Sequence, residues 1–240
     1  GSSTANVVIR KNYIHNISRA TCSNSVLGFT GVFVTGGGSN LTIEQNRFNA
    51  IGRLRNGESG CSTSLDQNDQ GIYHATFTGL TARRNIFYDV NRGWPIQFYG
   101  GTTTNASIYN NTFHGKTSTS NPKGQISIAS IWTGTSNIKN NIFSDPLTAP
   151  FFTFSVSGAG TINIDENLTD STDADWFTST VPSQVSGGAV GAGSQNNTSP
   201  GFVAVGSNDF RLAAGSGAID TGASVCTAFN GSGCDKGAYE

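Results

Sequence analysis

One short pattern returns six times along this chain, and it restricts the fold more than any other feature. It reads apolar, two mostly polar residues, Asn, any residue, apolar. The copies are Ile9-Arg-Lys-Asn12-Tyr-Ile14, Ile43-Glu-Gln-Asn46-Arg-Phe48, Ala82-Arg-Arg-Asn85-Ile-Phe87, Ile108-Tyr-Asn-Asn111-Thr-Phe113, Ile138-Lys-Asn-Asn141-Ile-Phe143 and a weaker Ile164-Asp-Glu-Asn167-Leu-Thr169. The Asn positions lie 34, 39, 26, 30 and 26 residues apart. A unit of this size, returning along a chain, cannot bury its apolar face alone and must stack on its neighbours.

Alternation inside each copy indicates strands. Val7, Ile9, Ile14 and Ile17 point one way, and Val8, Arg10 and Tyr13 the other. The Asn falls at a bend between two short strands, where its side chain can bond backbone groups and tolerate unusual φ/ψ. Stacked repeat on repeat, these residues would form an Asn ladder. A third strand is expected at Val32-Phe-Val34, Ile72-Tyr-His74, Ile96-Gln-Phe98, Ile126-Ser-Ile128 and Phe152-Thr-Phe154. Three strands per repeat, stacked at ~4.8 Å, make an all-β solenoid with a dry core. Residues 1–170 supply about six coils. Residues 171–240, an irregular Gly/Ser-rich stretch and a distinct tail, are the natural cap.

Composition agrees. Only 12% of the 240 residues are charged, too few for an ordinary helical domain, and the patterning is too regular for disorder. No apolar run is long enough to span a membrane. Residues 1–5 lack an initiator Met and read as a processed end, so a signal peptide would already be gone. Pairing Cys22 with Cys61 and Cys226 with Cys234 is the simplest arrangement of the four cysteines and implies an oxidising compartment, extracellular or at the cell surface; four unpaired thiols are the alternative. Charge is polarised, with twelve Lys/Arg against five Asp/Glu in residues 1–140 and two against ten in 141–240. The basic half is a plausible footprint for a polyanion, although unevenness of a solvated surface explains it equally well. The basic residues are scattered, which excludes a nucleic-acid motif.

The Asn-x-Phe coils resemble the right-handed parallel β-helix superfamily that includes pectate lyase-like enzymes. The tail Asp209-Phe-Arg-Leu-Ala-Ala-Gly-Ser-Gly-Ala-Ile-Asp220, ending Asp235-Lys-Gly-Ala-Tyr-Glu240, is similar to the closing segment of exported bacterial β-helix proteins. The resemblance implies a single-stranded right-handed parallel β-helix and a polysaccharide partner, but the superfamily also holds hydrolases, tailspikes and adhesins. The first coil begins near residue 6 without a polar cap, so either upstream coils have been trimmed away or that open coil self-associates with a partner chain.

Chemistry is expected beside the third strand. An acidic glycan needs cations for its carboxylates and aromatic faces for its rings. Elimination also needs a base for the C5 proton. Arg92, Lys116 and Lys123 are the candidate cations and His74 or Tyr73 the candidate base. Trp94, Gln97, Tyr99, Lys123 and Arg53 are the candidate substrate contacts, and Asp66 with Asp69 a candidate Ca²⁺ pair. His74 shares a column with Val34, Phe98 and Ile128 that should face inward, so a core role competes with a catalytic one. Tyr73 and Gln97 share the outward column with Phe33 and Ser127. A lyase is the leading expectation, and a non-catalytic adhesin, carbohydrate-binding or filament-forming module the alternative.

Overall fold

A computed structural model describes residues 5–64, 68–90, 92–115, 124–145, 152–171, 176–177, 181–226 and 231–239. The protein is all-β and dominated by two large parallel sheets, an architecture compatible with a parallel β-helix or solenoid. The first strands of the repeats, Ala5–Arg10, Gly38–Glu44, Thr81–Arg83, Ser107–Tyr109, Thr135–Lys139 and Thr161–Asp165, pair in that order. The second strands, Tyr13–Ile17, Arg47–Ile51, Ile86–Val90, Thr112–His114, Ile142–Ser144 and Leu168–Thr169, form a separate six-stranded sheet. The third strands, Thr30–Val34, Asp69–His74, Gly93–Thr104, Ile126–Thr133 and Phe152–Phe154, join the larger sheet. Every pairing in these stacks is parallel and joins equivalent positions of consecutive repeats.

That register puts like residues on like. Phe48, Phe87, Phe113 and Phe143 stack face to face, with centroids 4.6, 5.0 and 5.0 Å apart and all four rings buried. Each such pair adds about 0.5–1.5 kcal/mol beyond the area it buries. Ile9, Ile43, Ala82, Ile108, Ile138 and Ile164 make the neighbouring column.

Between the columns runs the Asn ladder. Asn12, Asn46, Asn85, Asn111 and Asn141 each donate both their backbone N–H and their side-chain Nδ2 to the Oδ1 of the next Asn, at 3.0–3.1 Å. From Asn46 onward each Nδ2 also donates to a carbonyl of the preceding repeat, for example Asn111 to Ala82 at 2.9 Å. Asn46, Asn85, Asn111, Asn141 and Asn167 are fully buried. The left-handed backbone expected of the Asn falls instead on the residue before it: Lys11, Gln45, Arg84, Asn110, Asn140 and Glu166 have φ of 52–58°. Several of these side chains have no preference for that region, and each costs roughly 1–2 kcal/mol there. The turn is held because it aims the following Asn inward, where its bonds offset the strain.

The stack continues past residue 170. Val185 bridges Ile162, Gln195 bridges Leu168, and the Asn167 N–H donates to Ser194 Oγ at 3.2 Å, so a serine ends the ladder. The tail runs back along the outer face of the six-stranded sheet. Phe210 packs on Tyr88 and His114, Asn110 Nδ2 donates to the Asp235 carbonyl, and Arg47 reaches the Asn208 carbonyl. The segment expected to cap an end thus divides into a part lying on the last repeat and a part laid along the side. Both expected disulfides are present, Cys22–Cys61 and Cys226–Cys234. Among the described residues no helix is long and apolar enough to cross a membrane.

Candidate functional site

The two-residue alternation of the third strands breaks where Gly31, Gly71 and Pro95 lie in register. A Cβ on Gly71 would come within 2.6 Å of the Pro95 carbonyl and 3.0 Å of the Phe87 ring; one on Gly31 would meet the Gly71 carbonyl at 2.7 Å. These positions press against the Phe column. The residues just before them, Thr30, Gln70 and Trp94, are thereby carried to the outer side, level with one another. Beyond the glycines the strand resumes its alternation, with Phe33, Tyr73, Gln97 and Ser127 in one register column and Val34, His74, Phe98 and Ile128 in the next.

An open groove of about 600 Å³ follows, with Tyr73, Trp94, Gln97 and Tyr99 on its walls and Val26, Leu27 and Gly28 at its rim. Phe33 and Tyr73 stack at 5.2 Å, and Phe33 and Tyr99 remain 63% and 56% exposed. Trp94, at 7%, is set deep in the wall and offers little of its face. Polar side chains form a chain of their own. Thr30 Oγ1 donates to Gln70 Oε1 at 3.0 Å, and Gln70 Nε2 donates to Gln97 Oε1 at 2.7 Å. Burial, with Tyr99 alongside, pushes the Tyr73 phenol above its ordinary range, so it keeps its proton at neutral pH and its hydroxyl donates towards the Tyr99 carbonyl.

The rim is held from behind by buried charge. Arg53 and Asp69 are both fully enclosed, with Nε 3.0 Å from Oδ2. Asp69 also accepts the Phe29 and Arg53 backbone N–H groups, and Arg53 donates to the Ser25 carbonyl. Arg92, equally buried, donates to the carbonyls of Ser23 and Leu54. Three sequence expectations are corrected here. Arg53 and Arg92 do not face the groove, because loop carbonyls and Asp69 draw their guanidinium groups inward. Asp69 is not available to a cation, because Arg53 already occupies its carboxylate. Among the described residues no cluster of three or more His, Cys, Asp or Glu could hold a metal. Asp66, Lys116 and Lys123 lie outside the described residues.

His74 occupies the core. It is fully buried against Phe98 at 4.9 Å, with Nδ1 3.4 Å from Thr103 Oγ1. Burial lowers its pKa from 6.5 to about 4, so it is neutral in the folded protein throughout the working range. The unfolded chain takes up a proton below about 6.5 that the folded chain refuses until about 4. Stability is therefore full above pH 6.5 and falls between 6.5 and 4, by roughly 3 kcal/mol in all from this residue. His114, also lowered by burial, adds in the same direction. We expect His74→Leu to keep the fold and flatten most of that acid decline; denaturant midpoints measured across pH would check it, and an unchanged slope would remove His74 from the account.

Of the residues that sequence reasoning placed at the site, Tyr73, Trp94, Gln97 and Tyr99 come together. Gln70, Thr30, Phe33 and the Val26–Leu27 rim were not picked out. Their signal was the shared register position, which is visible once Gly31, Gly71 and Pro95 are aligned. Comparison of the chain with protein families, with curated proteins and with solved structures finds no match in any of the three.

Proposed function

We propose that this chain is a right-handed parallel β-helix of about six coils that binds a polysaccharide in the groove beside its third strands, outside the cell. The observation that carries the reading is the groove's lining. Open aromatic surface on Phe33 and Tyr99 suits the apolar faces of sugar rings, and the Thr30–Gln70–Gln97 chain suits their hydroxyls. The unbroken Asn ladder supports the β-helix, and the two disulfides suit an extracellular setting. The site as described reads as a binding surface. Tyr99→Ala should weaken polysaccharide binding about tenfold, the loss of one ring contact of ~1.5 kcal/mol, while leaving thermal unfolding unchanged because the ring is exposed. Binding that survives the change, measured by affinity electrophoresis, would remove Tyr99 from the site.

A second reading is β-elimination on an acidic glycan. Of its four expected catalytic residues, His74, Tyr73, Arg92 and Lys116, Tyr73 alone both lies among the described residues and lines the groove. Its raised pKa keeps the phenol protonated at neutral pH, so it is not ionised to serve as a base there. Ultraviolet absorbance of an unsaturated uronate product, present or absent after incubation with pectate and alginate, decides this reading.

A further inference from the structure

We infer that the groove is built for an uncharged glycan and discriminates against acidic ones. The inference rests on the carbohydrate reading above and narrows it. Every described side chain on the groove wall is uncharged. A carboxylate or sulfate moved from water into such a lining loses hydration without gaining a counter-charge, whereas a hydroxyl exchanges one set of hydrogen bonds for another.

Six of the first half's cations are engaged away from the groove wall. Arg53 lies behind the wall, paired with Asp69, and Arg92 is committed to loop carbonyls. Arg19 and Arg55 meet Glu58, and Arg10 and Arg83 meet Glu44. None of these six arginines lines the groove.

The amide chain points the same way. It runs in one direction, from the Thr30 hydroxyl through Gln70 to Gln97, and both oxygens along it are already used. The group left over on Gln97 is its Nε2 amide, a neutral donor that bonds a hydroxyl or ring oxygen and brings no counter-charge to a carboxylate. Gln97 makes a better discriminator than the aromatic rings, which stack on charged and uncharged sugars alike.

The test is affinity electrophoresis of the wild-type protein in gels holding galactomannan, xyloglucan or hydroxyethyl cellulose on one side, and polygalacturonate, alginate or hyaluronan on the other. Each gel is run at low and at high salt, with Tyr99→Ala and Gln97→Glu alongside. Retardation by an uncharged polymer, at least about tenfold tighter than by any acidic one and insensitive to salt, is the expected result. Gln97→Glu should reduce that retardation about tenfold without restoring affinity for the acids. Salt-sensitive retardation by an acidic polymer would overturn the inference while leaving the carbohydrate reading intact. Retardation by none of the six would overturn the carbohydrate reading itself, and the inference with it.

Discussion

Replacing Asn111 with alanine is expected to cost about 3–5 kcal/mol of folding stability, more than any single change on the surface of this protein. The side chain is completely buried and works in both directions. Its Oδ1 accepts both Asn85 donors at 3.0 Å, and its Nδ2 lies 2.9, 3.1 and 3.0 Å from the Ala82 carbonyl, the Tyr109 carbonyl and Asn141 Oδ1. Alanine leaves the Asn85 N–H facing an empty site that no solvent reaches. Each stranded buried group costs about 1–3 kcal/mol. Aspartate should be no better, since it can accept from Asn85 but cannot donate, and it sets a charge in a dry row. Asn12, exposed at the first rung of the ladder, is the control, and its alanine variant should cost under about 1 kcal/mol. Denaturant titration of the three variants checks the gradient. Equal losses at Asn12 and Asn111 would show that burial does not set the ladder's worth.

Asp69→Ala should be nearly as damaging, at about 3–5 kcal/mol, because it strands the Arg53 guanidinium in a site with no solvent access. It also frees the Phe29 N–H and loosens the loop that carries Val26 and Leu27, so the groove should lose its rim as the fold loses stability. Double replacement, Asp69→Ala with Arg53→Met, should recover much of the stability, since neither charge is then left alone. The rim would still lack its anchor to the Ser25 carbonyl, so ligand affinity should not return with stability. A single variant with an unchanged denaturant midpoint would refute the structural role of the pair.

The stacking was legible because it is periodic. A repeated Asn between apolar residues can be read from one chain, and the inward and outward columns of the third strand follow from alternation around Tyr73–His74 and Gln97–Phe98. Arg53 and Arg92 were not legible. A long cation in a loop reads as solvent-facing, and what draws these two inside is Asp69 of Arg53's own repeat together with carbonyls at Ser23, Ser25 and Leu54 that other repeats supply. The left-handed residue before each ladder Asn was missed for a related reason. It includes Lys, Gln, Arg and Glu, none of which announces that backbone, and the demand comes from the neighbour's bonds. Gln70 and Thr30 were hidden by Gly31 and Gly71, whose closeness to the Phe rings breaks the two-residue alternation at that point.

The spacing of the ladder has one more consequence. Its intervals of 34 and 39 residues precede the shorter 26. The first long interval contributes Val26, Leu27 and Gly28 to the groove's rim and the loop of the second contributes Asn68, while the short interval that follows contributes Trp94, Gln97 and Tyr99 to its wall. A chain of uniformly short intervals would present a bare flank with nothing to shelter a ligand. The departures from regular spacing thus act as an address for the groove, and a protein of this kind can reshape it by lengthening a loop without disturbing a single rung.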